Sequence, residues 1–137
     1  MPIVKSGEST FVRTRGGSTF AHEVRVARSF LSRLVGLLGT DRLLDGHGLL
    51  IQPGGGIHTV GMKYAIDVMF LDAENTVLGI AAHVAPNRVR VAPRGCASVL
   101  ELNAGSTLRH GLVPGEQIEF GDCPVGGSRE KGACNEC

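Results

Sequence analysis

The stretch AIDVMFLDAENTVLGIAAHV, residues 65–84, contains two apolar runs separated by the polar segment DAENT. Each run has the length of a β-strand, and the residues between them are typical of a tight connection, so the stretch predicts a hairpin. In the first run Ile66, Val68 and Phe70 alternate with Asp67, Met69 and Leu71. This strand is therefore apolar on both faces except at Asp67.

Segments of the same kind lie on both sides of this hairpin. They are TFAHEVRVA (19–27), GLLIQ (48–52), RVRVA (88–92), SVLELNAG (98–105) and EQIEF (116–120). Turn-forming residues separate them, as in a protein built from many short strands. In the first of them one side is predicted to carry Phe20, His22, Val24 and Val26, and the other side Glu23 and Arg25.

The segment RSFLSRLVGLLGTDRLL, residues 28–44, has a different period. Its apolar residues recur at helical spacing, Ser29 suits an N-cap and Gly39 suits the residue after a helix. The sequence therefore predicts a helix near residues 29–38. The fold class that follows is mainly β (α+β), a compact β-sandwich or partly closed barrel with this helix packed on it.

Composition limits the classes of partner. The 137 residues include 42% hydrophobic ones and carry a formal charge of +1, but only one Tyr, five Phe and no Trp. Stacking platforms for nucleic acid need aromatic residues, and Arg88, Arg90 and Arg94 form only a thin basic group, so nucleic acid is not expected as a partner. No segment has the length of a membrane span and the N-terminus lacks an apolar signal region, which predicts a soluble cytoplasmic protein without membrane contact.

The ends of the chain differ from its middle. We expect residues 1–18 to be an N-terminal arm or a first strand, residues 19–122 a single β-rich domain, and residues 123–137 a flexible tail. The tail holds Cys123, Cys134 and Cys137, and its C-x2-C pair has a spacing that suits zinc. No other cofactor is expected, and a zinc or redox role of the tail is kept as an alternative.

Asp67 is the polar anomaly in the apolar strand, and His58 precedes it across a glycine break. A buried carboxylate needs partners, which are either backbone N–H groups or the groups of a functional site. A His–Asp pair is half of an acid–base device, but Thr59, Ser98 and Cys96 are in no recognisable nucleophile motif. Both a structural and a functional role for the pair therefore remain open.

Met62 adds a second ambiguity. Together with His58 and Cys96 it would offer soft ligands to copper, yet no second histidine is spaced to complete such a site. A methionine beside an apolar strand is usually core filler. Its presence alone does not decide between the two.

The segments FLSRLVGLLG, GHGLLI, HTVGMKYAIDVMFLD and VLELNAG, in this order, resemble the domain of unknown function 192 family. The likeness runs from about Thr19 to Phe120, and the string H-T-x-G-M-x-x-x-I-D is quite specific. The resemblance implies a small, mainly β fold with one helix and supplies no established activity. Its characteristic positions fall here on Arg33, Leu34, Gly36, Leu37, His58, Thr59, Gly61, Met62, Asp67, Phe70, Asp72, Glu101 and Gly105.

Polar residues among these positions suggest one shared site. We expect a polar pocket around His58, Asp67 and Glu101, and the set of ligand-binding candidates is Arg33, His58, Thr59, Met62, Asp67 and Glu101. The favoured function is a non-enzymatic binding or accessory domain for a small polar ligand or a protein partner. The alternative is a hydrolase-like or metal-dependent enzyme that uses the same groups.

Overall fold

The computed structural model describes residues 9–17, 19–27, 43–52 and 55–121. These residues form nine strands and one short helix, so the mainly β class is confirmed. The elements are β1 (Ser9–Thr14), β2 (Thr19–Ala27), β3 (His47–Ile51), β4 (Gly56–His58), β5 (Ile66–Leu71), β6 (Val77–Val84), β7 (Val89–Val91), β8 (Ser98–Asn103), α1 (Ser106–Arg109) and β9 (Ile118–Gly121). The helix predicted near residues 29–38 lies outside the described residues.

Seven strands form one sheet in the order β6-β5-β8-β3-β2-β1-β9. All neighbours are antiparallel except the parallel pair β2–β3. The sheet curls until its edge strands meet at one end, where Thr76 bridges Gln117 and the Val77 N–H donates to the Glu116 carbonyl at 2.8 Å. Of the two predicted architectures, the partly closed barrel is therefore the one observed.

The predicted hairpin is confirmed as β5–β6, and its turn depends on two local features. Asn75 has a φ of 65°, a left-handed conformation that asparagine tolerates better than most residues. The Asp72 Oδ1 accepts hydrogen bonds from the N–H groups of Glu74 and Thr76, both at 2.9 Å. These bonds replace ladder contacts that the turn residues lack.

Apolar side chains gather on the two faces of the curled sheet. The inner cluster consists of Val12, Phe20, Ala21, Val24, Val26, Leu50, Met69, Leu71, Val77, Leu100, Leu102, Leu112, Ile118 and Phe120. The outer cluster consists of Leu49, Ile51, Ile57, Met62, Ile66, Val68, Phe70, Val84 and Val99. Because β5 lies between the clusters, all six of its residues are buried.

The predicted alternation of β2 is wrong at His22, which is exposed. In the β1–β2 register Thr10 pairs with Val24 but Val12 pairs with Ala21, so β2 has one extra residue between these pairs. Such a bulge shifts the side-chain alternation by one position. It buries Ala21 beside Phe20 and turns His22 outward.

Strands β4 and β7 form a separate two-stranded ribbon, with His58 opposite Val89 and Gly56 opposite Val91. A Cβ atom added to Gly56 would lie 2.7 Å from the Arg90 carbonyl oxygen, so the close pairing of the strands requires glycine here. The buried Ile57 anchors the ribbon in the outer cluster.

Candidate functional site

Asp67 lies on β5 and its side chain is fully buried. Its Oδ1 accepts the N–H of His83 at 2.9 Å, and its Oδ2 accepts the N–H and the hydroxyl of Thr107 at 2.9 and 2.7 Å. Both carboxylate oxygens are therefore used by the protein itself.

These bonds connect Asp67 to two irregular parts of the fold. Ile66 pairs with Val84 and Val68 with Ala81, which leaves β6 with a bulge opposite Asp67, and His83 in this bulge has a φ of 51°. Thr107 is in the first turn of α1, where backbone N–H groups have no helical partner. One carboxylate thus satisfies the donors of a bulge and of a helix start.

The protonation of Asp67 follows from these contacts. Burial alone would raise the pKa of the carboxyl, but hydrogen bonds from His83, Thr107 and the backbone of Gly105 outweigh it. The net effect is a pKa below the ordinary value, so Asp67 is ionised at neutral pH. A fully buried carboxylate whose two oxygens both accept hydrogen bonds from the protein stabilises structure and is not accessible to a ligand.

Glu101 lies on β8 and its side chain points to the opposite face of the sheet. Asp67 pairs with Leu102, a member of the inner cluster, whereas Glu101 pairs with Val68, a member of the outer cluster. Adjacent positions of a strand point to opposite faces. The single polar cluster expected around Asp67 and Glu101 is therefore not formed.

Glu101 is buried but, unlike Asp67, it has no partner among the residues that the structure describes. Its side chain is 5% exposed, and it has no hydrogen bond or ion pair to a described residue. Burial raises the pKa of the carboxyl to about 7. A buried polar group without a partner is costly, so such groups are often found at functional sites.

His58 lies on the ribbon and is exposed. Its Nδ1 accepts the N–H of Val60 at 3.3 Å, and no hydrogen bond to Asp67 is present among the described residues. Instead of contacting each other, His58 accepts a local backbone N–H, and Asp67 accepts from the distant residues His83 and Thr107. The ring Nε2 remains directed at no described partner.

Thr59 is fully buried and joins the ribbon to the segment before β7. Its hydroxyl donates to the Ala85 carbonyl at 2.6 Å and accepts the Arg88 N–H at 2.9 Å. Met62 is 8% exposed and belongs to the outer cluster. Thr59 therefore braces the scaffold, and Met62 contributes apolar surface on the same side of the sheet as Glu101.

The remaining predicted positions add little that is structural. Arg33, Cys123, Cys134 and Cys137 lie outside the described residues. The Cys96 thiol donates to the Ser98 carbonyl at 3.2 Å, and its burial raises its pKa. In the described ranges no three His, Cys, Asp or Glu side chains gather in a way that would hold a metal ion. No helix among the described residues is long and apolar enough to cross a membrane.

Sequence reasoning missed the partners of Asp67 and the short helix that supplies one of them. A four-residue helix is too short for a periodic pattern, and the bulge at His83 becomes visible only once β5 and β6 are paired. The sequence does contain a glycine at this point, Gly105, and in the structure it adopts a φ of 95° immediately before α1. Arg109, the last residue of α1, also forms a surface-exposed salt bridge with Asp45 at 2.7 Å.

The fold defines the class: this is a small, mainly β protein with a curled half-barrel sheet. A family model described as "Uncharacterized ACR", the domain of unknown function 192, matches residues 11–120. The chain belongs to this family, as the sequence motifs had indicated.

Two solved structures are similar to this chain. One is a "putative transcription regulator" from Sinorhizobium meliloti 1021, with 27% identity, a TM-score of 0.74, and coverage of 86% of this chain and 98% of that one. The other is a protein of unknown function from Novosphingobium aromaticivorans DSM 12444, with 25% identity, a TM-score of 0.71, and coverage of 87% and 92%. None of the curated proteins matches the chain.

Proposed function

We propose that this protein is a non-enzymatic binding domain that holds a small ligand between the Glu101 carboxyl and the outer cluster. The ligand has a hydrogen-bond donor or a positive charge for the carboxyl and an apolar part for the cluster. The observation that carries the proposal is the buried Glu101 without a partner in the described part of the chain.

Asp67 provides the internal comparison that supports this proposal. Both carboxyl groups are buried in the same sheet, but among the described residues only Asp67 receives hydrogen bonds from the protein. A carboxyl kept for structural reasons is normally satisfied in this way. No described residue donates a hydrogen bond to Glu101, so with respect to that part of the chain its oxygens are available to a ligand.

The surroundings of Glu101 supply the apolar half of the recognition. Its register neighbours Leu49 and Val68 belong to the outer cluster, as does Met62. Small-molecule sites typically combine such a lining with a few polar groups that fix orientation. In this proposal Met62 and Glu101 contact the ligand, while Thr59 and Asp67 hold the scaffold.

One observation favours a second candidate, an enzyme in which Glu101 is a general acid or base. A carboxyl with a pKa of about 7 exchanges protons readily at neutral pH. A regulatory role, as named for the Sinorhizobium protein, fits the binding domain better, because ligand occupancy can be passed to a partner.

A thermal-shift screen tests the proposal, because a ligand bound only by the folded state raises the melting temperature. The panel contains small amines, guanidinium compounds, neutral polar metabolites and divalent cations, each at pH 6 and pH 8.5. We expect positively charged ligands to raise the melting temperature more at pH 8.5, where Glu101 is ionised.

Two variants make the screen specific. Glu101→Gln removes the charge at nearly constant shape, and Glu74→Gln removes an exposed carboxyl elsewhere. The proposal requires the ligand shift to disappear in the first variant and to persist in the second. A shift that survives Glu101→Gln, or no shift across the panel, contradicts it.

A further inference from the structure

We infer that the β4–β7 ribbon is a docking site for an extended segment of a partner protein in which acidic and apolar residues alternate. The segment adds as a third strand along the outer edge of β7. This inference does not depend on Glu101 or on the proposed ligand.

The first argument is the direction of the backbone groups of β7. The Thr59 N–H donates to the Arg88 carbonyl at 2.8 Å, and the Ala92 N–H donates to the Gly55 carbonyl at 3.4 Å. Peptide groups alternate in direction along a strand, so those of Val89 and Val91 point away from β4. In the described part of the chain no other strand pairs with this edge.

The second argument is the exposure of apolar side chains on this edge. Val89 is 63% exposed and Val91 is 82% exposed, although valine is a residue that folding usually buries. They pair with His58 and Gly56 and therefore lie on one face of the ribbon. Val60, two residues after His58 in the chain, is also exposed, at 52%. Apolar surface of this kind on a strand edge is a feature of protein interaction sites.

The third argument is charge. Arg88, Arg90 and Arg94 are exposed, and none of them forms an ion pair within the described residues. Within the described ranges their guanidinium groups donate to backbone carbonyls, from Arg88 to Asn87 and from Arg90 to Val89. Residues 55–65 and 84–97 contain no Asp or Glu. The ribbon is therefore a basic surface in a chain whose net charge is only +1.

These three features together specify the partner. Arg88 and Arg90 alternate with Val89 and Val91, so a strand added beside β7 would place every second side chain next to an arginine and the others next to a valine. Main-chain hydrogen bonds would supply affinity and this alternation would supply specificity, as in other cases of strand addition. A second copy of this chain fits poorly, because its own arginines would face these.

The direct test uses an eight-residue Glu–Val alternating peptide with a terminal fluorophore. Fluorescence anisotropy with the full chain measures affinity, and a peptide of the same composition in block order, four Glu and then four Val, is the control. We expect the alternating peptide to bind at least about tenfold more tightly than the block peptide. Amide hydrogen exchange followed by NMR should show new protection at Val89 and Val91.

Charge reversal provides a matched pair of variants. Arg90→Glu should weaken binding of the Glu–Val peptide about tenfold and favour a Lys–Val peptide. Arg25→Glu, an exposed arginine on β2, should leave binding unchanged. Circular dichroism checks that both variants are folded.

Four results would overturn the inference. These are no binding of the alternating peptide, equal binding of the block peptide, binding of duplex DNA or anionic vesicles that Arg90→Glu weakens as strongly, and self-association of the chain through the ribbon. Each would assign the exposed edge to a different partner or to none.

Discussion

Asp67 and Glu101 show that burial alone does not reveal what a carboxyl group does. Each interrupts an apolar strand, and each is less than a tenth exposed. Hydrogen bonds from His83, Thr107 and the Gly105 backbone lower the pKa of Asp67. Burial raises the pKa of Glu101, and no described residue donates a hydrogen bond that would oppose this effect. The hydrogen-bond partners, rather than the residue type, separate the structural group from the candidate functional one.

Replacing Asp67 should destabilise the protein. Asp67→Ala leaves the part-buried N–H of His83 and both buried donors of Thr107 unpaired, so the free energy of unfolding should fall by about 2–4 kcal/mol. Urea denaturation at pH 7 measures the change. A fall of less than about 0.5 kcal/mol would contradict the structural role.

Conservative amide substitutions sharpen this test. Asp67 accepts through both oxygens, so Asp67→Asn would direct its NH2 group at a donor and should be almost as destabilising as alanine. Asp72 accepts through Oδ1 alone, so Asp72→Asn keeps its acceptor and should cost less than about 1 kcal/mol. Equal losses in the two amide variants would show that charge rather than hydrogen-bond geometry matters.

The sequence indicated that both carboxyl groups were unusual but not that they lie apart. Alternation along a strand shows which of its side chains share a face. Whether side chains of two different strands share a face depends on the register between the strands, which the sequence does not show. Pairing of Val68 with Glu101 is set by the curled sheet and not by any local pattern. The sequence-based expectation that Asp67 and Glu101 share one pocket is wrong for that reason.

At the level of elements, β6 contains a bulge that Asp67 fills. His83 adopts a φ of 51° there, which non-glycine residues reach at a cost of roughly 1 kcal/mol and β-branched residues reach with more difficulty. The hydrogen bond from its N–H to Asp67 offsets part of this cost. The bulge and the carboxylate therefore depend on each other.

Substitution at His83 tests this dependence. His83→Val should lower the free energy of unfolding by about 1–2 kcal/mol, because a β-branched side chain opposes a positive φ. His83→Asn should change it by less than about 0.5 kcal/mol, since asparagine tolerates this conformation. Ala82→Val, at the neighbouring exposed position, is the control and should be close to neutral. If His83→Val were also neutral, the backbone could not be strained there.

Strands were more predictable than the segments that connect them. The length and apolar content of β2, β5 and β6 make these strands recognisable in the sequence. Their bounds agree with the predicted segments to within a residue or two. β4 and α1 have three and four residues, too few for a period to be recognised. Their positions depend on contacts with distant segments, such as those of Thr59 with residues 85–88.

For the whole molecule, Glu101 predicts an unusual dependence of stability on pH. Its pKa is about 7 in the fold against an ordinary value of 4.5, so between these values only the unfolded chain loses the proton. Stability from this group is full below pH 4.5 and is lost as pH rises through 7. The loss is on the order of 3 kcal/mol. Asp67 acts in the opposite direction, because its stabilisation is lost only as pH falls below its ordinary 3.8.

Glu101→Gln isolates this contribution. At pH 5 the protonated acid and the amide are both neutral, so the variant and the natural chain should have similar stability. At pH 8 the variant should be more stable, by up to about 3 kcal/mol. Thermal denaturation at both pH values measures the difference, with Glu74→Gln as the control that changes at neither. A variant less stable than the natural chain at pH 8 would mean that the ionised Glu101 has a stabilising partner.

The cysteines near the C-terminus pose a separate question for the whole chain. Cys123, Cys134 and Cys137 provide three thiols, whereas a structural zinc site is usually tetrahedral with four ligands. Cys96 would be the fourth, but its thiol is half-buried, hydrogen-bonded to Ser98, and has a raised pKa that disfavours the thiolate which zinc requires.

We therefore expect the full chain, purified without added metal, to contain well under one zinc per molecule by elemental analysis. The full-length variant Cys134→Ser/Cys137→Ser should then match it in zinc content and melting temperature. Stoichiometric zinc that is lost in this variant would instead establish a metal site built on the C-x2-C pair.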